Sequence, residues 1–536
     1  MEHVKSGIDI DDLLILTFTN AAAAEMKERI RKKLQDSPML KAQADKVDMA
    51  YITTFDAFAL SLVKKYSYLL NMPSKVAVID DSILELKKRE ILTEIFENYY
   101  ANKDELFEKL INDFCLKDDK EVFESILKLS DKLDNLYDKQ GFLENYVDNY
   151  YQDENILKFT YEYNELLRRK IKAIKGNLDY LSSYTDYSYI EKLEDVLGPL
   201  LGSKEYAEIK HNIPDKLPSA PRGSSLEAKN IKAEIASLVK ELKNLTSYED
   251  PFEIKRSLYL TRDYAEIIVK ILLEFDLKIQ NYKRDNDSYE FVDIAKMAIR
   301  ILENFEDVKL ELKGKYKEIL IDEYQDTNDL QDLFVSFLED NNVYMVGDIK
   351  QSIYRFRNAN PLLFKKKYDS YSKGLDGFKI DLNKNFRSRS EVTNGINVIF
   401  NLVMNDEIGG ADYLTSHQLV FGNTAYNVVN NENYKMEVLN YVMPESQEFS
   451  KEEIEIFTIA RDIEEKVKNH YKIMDKETSK ERDITYGDFA ILMDRSRLFD
   501  TYKKVFEYLN IPLAIYKDKT ISNSVDILLI KNLYTI

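Results

Sequence analysis

At 536 residues the chain is too long for one hydrophobic core and is expected to divide into roughly three or four domains. Its single cysteine, Cys115, excludes an intramolecular disulfide and any multi-cysteine zinc or iron–sulfur site. A formal charge of −19 argues against indiscriminate phosphate binding, while leaving room for a local basic or aromatic track on an acidic body.

In chain order, Glu2, His3, Lys5, Asp9, Asp11 and Asp12 intersperse charge among apolar residues, unlike a cleavable signal. No apolar run reaches the ~20 residues of a membrane span, so cytoplasm is the expected compartment and no membrane partner is expected. Leu13-Leu14-Ile15-Leu16-Thr17-Phe18 predicts a buried parallel strand. Thr19 and Asn20 can cap the helix that follows, where Met26, Ile30 and Leu34 recur on one face. A second unit opens with Ala50-Tyr51-Ile52-Thr53-Thr54-Phe55 and runs into a Lys- and Tyr-rich helix. From about 82 to 285 apolar residues fall at helical spacing between many Lys and Glu, which predicts a helical insertion broken by a Pro- and Ser-bearing loop, Ile213 to Ser225.

Strand signals return at Glu318–Asp322 and Asn342–Gly347, and a further αβ section is expected from Phe378-Lys379-Ile380-Asp381-Leu382. Phe489-Ala490-Ile491-Leu492-Met493 reads as another buried strand, and the chain ends at Ile536 inside an amphipathic helix pattern. Strands separated by helices imply parallel α/β layers.

The strongest chemical signal is Ile319-Leu320-Ile321-Asp322-Glu323-Tyr324-Gln325-Asp326. An apolar strand ending in two carboxylates places both at the edge where α/β sheets bind ligands. In nucleotide hydrolases the first such carboxylate holds Mg²⁺ and the second orients the attacking water. Alone, the pair reads more readily as a solvated acidic turn. It stands, however, in a series: Thr17-Phe18-Thr19-Asn20-Ala21-Ala22-Ala23-Ala24-Glu25-Met26, Thr53-Thr54-Phe55-Asp56-Ala57-Phe58, Asp322–Asn328, Val346-Gly347-Asp348-Ile349-Lys350-Gln351-Ser352-Ile353-Tyr354-Arg355-Phe356-Arg357, and Leu382-Asn383-Lys384-Asn385-Phe386-Arg387-Ser388.

Together and in this order, these segments resemble the motifs of the UvrD/Rep superfamily 1 DNA helicases. The Ala-rich helix start, Gln351–Pro361 and Gly409–Tyr413 leading to Leu419–Gly422 are most similar to the AddA branch of helicase–nuclease subunits. The resemblance implies an α/β fold of RecA-like parallel-sheet motor domains (the P-loop NTPase fold) with a large all-helical insertion. It implies a first motor domain from 1–80 plus 286–375, a helical 1B-like insertion at 81–285, and an incomplete 2A-like second motor domain at 376–536. ATP and Mg²⁺ are the implied cofactors. Single-stranded DNA and duplex ends, with an AddB-like partner subunit, are the implied partners in a recombinational repair motor.

By the same resemblance Asp322 binds Mg²⁺, Glu323 activates water, and Gln351 senses the γ-phosphate. Arg387 places a guanidinium on that phosphate and Phe386 offers a face to adenine. Thr19, Asn20, Thr54 and Phe55 line the strand, Tyr354 and Phe356 stack on bases, and Arg357 joins them. Phe18 is left between core and strand. Asp56 departs from the family's usual His: an ionised carboxylate repels a phosphate, which counts against a backbone contact there.

No Gly-x-x-x-x-Gly-Lys-Ser/Thr stretch occurs in the chain. In the family that loop lies upstream of the Leu13 strand, and its backbone N–H groups and Lys cradle the phosphates. The expectation is therefore a motor segment that lacks this loop, the later motifs and the nuclease domain, and that is inactive alone. Three alternatives stay open: a stand-alone UvrD-like helicase fragment, a non-hydrolysing single-strand-binding or scaffold protein, and a helical protein that only docks a partner.

Overall fold

The computed structural model describes residues 2–73, 75–423, 434–440, 449–475, 478 and 480–515. The chain divides into two compact units, 1–367 and 368–536. The C-terminal helix pattern ending at Ile536 lies outside the described residues.

The first unit is built on a parallel sheet of order β2-β1-β5-β6, with β1 Leu13–Thr17, β2 Ile52–Thr54, β5 Glu318–Ile321 and β6 Val343–Met345. Every residue of β1 is buried, as a strand covered on both faces must be. Its side chains alternate between two cores. Leu14 and Leu16 join Phe58, Leu62, Ile294, Ala298 and Phe334 on one face. Leu13 and Ile15 join Leu34, Val47 and Ile52 on the other. This two-residue alternation sandwiches the sheet between helices α1 (Asn20–Gln35) and α2 (Phe55–Tyr66), the latter backed by helices nearer β5. Thr19 caps α1 by accepting from the Ala22 N–H, and Thr54 caps α2 by accepting from the Ala57 N–H. Asn20 is the first helical residue rather than the cap. Met26 and Ile30 pack with buried Leu34, as their spacing predicts.

The short strand β3 (Ala77–Val78) carries the chain into the helical region, which opens with α3 (Asp81–Asn102). The long helices α4 (Asp153–Leu181) and α5 (Leu226–Leu245) share one apolar cluster, while α3 and α6 (Arg262–Asp285) share a second. The 213–225 stretch contains no helix or strand; Ile213, Leu217 and Ala220 lie against the first cluster, and the Tyr189 hydroxyl donates to the Pro218 carbonyl.

The chain leaves this region through β4 (Ser288–Tyr289), parallel to β3, and enters α7 (Phe291–Asn304). An ion network fastens this double crossing. Lys283 Nζ lies 2.5 Å from Glu290 and 2.6 Å from Asp293, and Lys88 Nζ lies 2.9 Å from Asp131 and 3.3 Å from Glu290. Lys139 joins Asp134 and Asp276. Helix α8 (Asp329–Leu338) then follows β5.

In the second unit β7 (Lys384–Asn385) pairs in parallel with β8 (Val420–Phe421), between which lies α9 (Ser390–Val403). Helices α10 (Lys451–Lys468) and α11 (Phe499–Tyr508) pack together, beside an antiparallel hairpin of β9 (Lys472–Met474) and β10 (Glu481–Asp483). The αβ section expected from near Phe378 starts its pairing at Lys384, with Phe378, Ile380 and Leu382 exposed before it. One expectation is corrected. Phe489–Met493 has no ladder partner among the described residues. Phe489, Ile491 and Met493 pack on the α10–α11 cluster while Leu492 is 94% exposed, so only one face of this apolar run is covered.

Candidate functional site

The parallel register brings four strand ends to one edge. Thr17 is level with Thr54, and Leu16 with Ile321, whose successor Asp322 donates its N–H to the Leu16 carbonyl at 3.0 Å. Ile321 is in turn level with Met345. Asp322 therefore stands beside Thr17 at the carboxyl edge, where α/β sheets bind ligands. Glu323 follows with φ 52° and ψ 44°, a left-handed conformation that costs a non-glycine residue about 1–2 kcal/mol. Hydrogen bonds hold it there: Tyr324 N–H to the Val346 carbonyl at 2.9 Å, and Asp326 N–H to the Glu323 carbonyl at 2.9 Å. The turn leaves Glu323 exposed and buries Tyr324, Gln325, Asp326 and Thr327 beneath it.

A cavity of about 300 Å³ opens at this edge, lined among others by Thr17, Thr54, Asp56, Asp322, Glu323 and Arg357. Asp56 and Asp326 line this cavity, and Asp348 lies in the loop after β6; their carboxyl environments differ. Burial pushes the Asp56 carboxyl above the usual range. Burial also raises Asp326, helped by the charge of Glu323 and opposed by the backbone N–H groups of Ile353 and Tyr354. Asp348 goes the other way: burial pushes it up, but Lys350 and Gln351, which donate to it, outweigh that and hold it low.

The loop after β6 turns through Ile349–Gln351 and Arg355–Arg357. It builds a run of rings: Phe18 to Tyr354 at 4.6 Å between centroids, and Tyr354 to Phe356 at 5.7 Å. Arg357 lies 5.5 Å from the Tyr354 ring and 5.9 Å from that of Phe356. Phe356 is 77% exposed. The loop is tied down where Ser352 Oγ donates to the Gln325 carbonyl and Asn360 N–H to the Thr327 carbonyl.

The fold thus gathers Asp322, Glu323, Thr54, Phe55 and Arg357 around one cavity. Gln351 is exposed, with its amide on Asp348. Thr19 and Asn20 are exposed at the start of α1. Phe55 lines the cavity yet is buried edge-on against Phe334 at 5.0 Å, so little of its ring is free for stacking. Phe18, undecided in the sequence, belongs to the ring run. Phe386 and Arg387 lie in the second unit, both exposed, where the Arg387 and Ser388 N–H groups donate to Asn385 Oδ1. The parts played by Gln325, Asp326, Gly347 and Asp348 are not apparent from the sequence, because they depend on contacts between the turn after β5 and the loop after β6.

Residues 1–372 match the model of the UvrD/REP helicase N-terminal domain. The chain belongs to the UvrD/REP helicase family. It is also 30% identical to proteins named as the A subunits of ATP-dependent helicase/nucleases, from Ligilactobacillus salivarius over 96% of this chain and 46% of that protein, and from Clostridium perfringens over 91% and 44%. A Bacillus thuringiensis relative of the same name matches at 30% over 91% of this chain and 44% of its own length. The chain spans about half the length of these curated relatives. Membership accounts for the α/β architecture with its parallel sheet as that of a RecA-like motor. No helix among the described residues of this UvrD/REP chain is long and apolar enough to cross a membrane.

Proposed function

We propose that this chain carries the motor of an ATP-dependent DNA helicase that works within a helicase–nuclease, with a partner subunit of the AddB kind, in the cytoplasm. The observation that carries the reading is the meeting of a carboxylate pair and a run of aromatic rings at one sheet edge, joined by one turn. Single-stranded DNA lies on Tyr354 and Phe356, with Arg357, Thr19, Asn20 and Thr54 along its path. Stacking suits a motor because every base offers a π-face, whatever the sequence. Duplex ends are the proposed starting substrate.

The donor chemistry fits Mg²⁺, a hard cation that takes one or two carboxylates and keeps several waters. Asp322 would hold the ion and Glu323 would orient and deprotonate water. Bound ATP supplies the free energy of phosphoryl transfer. Gln351 senses the γ-phosphate, Arg387 neutralises charge that builds there, and Phe386 packs on adenine. We assign 1–80 with 286–375 to the first motor domain, 81–285 to the helical insertion and 376–536 to the second motor domain. In support of the first, β1 and β2 share a sheet with β5 and β6.

The test is DNA-stimulated ATP hydrolysis by this chain, beside a version extended upstream and downstream to the length of its relatives. Turnover confined to the extended protein, and lost in Glu323→Gln, is the expected result. Robust turnover by the 536 residues alone overturns the view that a phosphate loop outside them is required. Because no Gly-x-x-x-x-Gly-Lys-Ser/Thr stretch occurs in the chain, one second reading has support: strand binding without hydrolysis. It predicts nucleotide-independent oligo-dT binding, with no turnover even in the extended form.

A further inference from the structure

The side chain of Gln325 is 1% exposed and makes contacts in two directions. Its Nε2 donates to Glu323 Oε2 at 2.7 Å, with a longer contact to Asp326 Oδ2 at 3.4 Å. Its Oε1 accepts from the Asp348 N–H at 2.9 Å. These partners fix the amide orientation, since the flipped form would set an NH₂ against an N–H and an oxygen against a carboxylate. The residue type is also constrained. Glu323, Asp326 and Asp348 surround this position, so a carboxylate would add to their repulsion. An apolar side chain would leave the half-buried Asp348 N–H without its acceptor.

Gly347 makes the arrangement possible. A Cβ there would stand 2.7 Å from Gln325 Oε1 and 2.8 Å from Phe364 Cε2, closer than real contacts allow. Any side chain at position 347 must therefore displace the Gln325 amide and the Phe364 ring. Asp348, held through its N–H by Gln325, accepts in turn from Gln351 Nε2 at 2.9 Å and from Lys350 Nζ at 2.7 Å. One continuous line of hydrogen bonds therefore runs from Glu323 through Gln325 to Asp348 and Gln351, at the start of the loop that carries Tyr354 and Phe356.

We infer that Gln325, seated in the space that Gly347 leaves, is a positioning residue that fixes the Glu323 carboxylate and links it to the strand-contacting loop. The inference rests on the proposed role of Glu323. A displacement of the loop that moves Asp348 must stretch or release the Gln325 amide, and with it the carboxylate. Glu323 in its left-handed turn has no other side-chain donor recorded among the described residues.

Two substitutions separate the two ends of the link. Gln325→Glu keeps an acceptor for the Asp348 N–H but replaces the donor to Glu323 with an oxygen that repels its carboxylate. Gln325→Met loses both. In the extended protein Gln325→Glu lowers kcat at least tenfold, while KM for ATP and the affinity for oligo-dT stay within twofold. In the 536-residue chain, hydrogen exchange of the Asp348 amide accelerates at least tenfold in Gln325→Met and stays within twofold in Gln325→Glu. Gly347→Ala also accelerates exchange of the Asp348 amide, and combining it with Gln325→Ala gives less than the product of the two single effects, because both act on the Gln325–Asp348 contact. Wild-type kcat in Gln325→Glu overturns the inference, as does an unaltered Asp348 amide in Gln325→Met. A parallel fall of kcat and oligo-dT affinity does so too, since a merely structural role would give that. Glu323→Gln run alongside tells the failures apart: full turnover there removes the role of Glu323 itself, whereas a dead Glu323→Gln beside an active Gln325→Glu removes only the link.

Discussion

Phe356→Ala tests strand stacking at the point where stability is least involved. The ring is 77% exposed, and its recorded ring contacts are Tyr354 at 5.7 Å and the Arg357 guanidinium at 5.9 Å. Removing it opens no cavity, so the unfolding free energy should change by no more than about 0.5 kcal/mol. A base–aromatic stack contributes roughly 1–3 kcal/mol. At an RT of about 0.59 kcal/mol this corresponds to a Kd for oligo-dT raised about 5- to 160-fold. Fluorescence anisotropy of labelled oligo-dT, titrated at several salt concentrations, measures both the shift and its origin. The side chain is neutral, so the slope of log K against log salt should be unchanged, whereas Arg357→Gln should make it shallower by about 0.7. Wild-type affinity in Phe356→Ala refutes the stacking argument. A changed salt slope in that variant refutes it as well, because the loss would then come through displaced charge.

Glu323→Gln should lower DNA-stimulated turnover of the extended protein by at least about 10²-fold and leave oligo-dT affinity intact, as steady-state kinetics and anisotropy would show. Lys283→Met removes the shared cation from Glu290 and Asp293, leaving two carboxylates partly or wholly out of water. Urea denaturation should register a loss of about 3–5 kcal/mol in the first unit. Asp56→Asn should stabilise the chain near neutral pH. Because burial raises the Asp56 carboxyl, its contribution is full below the unfolded value and is lost as pH rises through the folded one, so the variant's advantage should vanish on acidification to about pH 3. An advantage that persists at low pH would mean that the carboxyl is not desolvated.

Local chemistry is legible in the sequence wherever one segment contains its own cause. The apolar run of β1 announces a strand covered on both faces, and Thr19 and Thr54 announce the caps of α1 and α2, because each bonds within three residues of itself. Contacts between distant segments are not legible. Lys88 meets Glu290 across 202 positions, and each looks like an ordinary solvated charge until β3 and β4 pair and bring the crossings together. Gln325 can be placed in its motif, but its bond to Asp348 depends on the register of β5 against β6. Phe489–Met493 departs from its expected strand for a related reason: an apolar run does not state how many of its faces find a neighbour, and here α10 and α11 cover only one.

The acidity of the chain and its proposed hold on DNA are compatible because they reside in different places. Arg357 is the only cation among the residues lining the cavity, whereas Asp56, Asp322, Glu323 and Asp326 all contribute carboxylates. Such a surface repels phosphates unless the strand is held by its bases or the charge is lowered. The fold provides both means. Phe18, Tyr354 and Phe356 offer π-faces that carry no charge, and burial raises Asp56 and Asp326 toward their neutral forms. Asp56, where the resemblance implies a His, then has a physical reading: in a cavity already rich in carboxylates, its raised pKa lowers the charge that a strand would meet, and the proposed grip rests on the rings. Binding of this kind tolerates any base sequence and moves with one loop. That is what a motor needs from its hold on a strand it must release and regain.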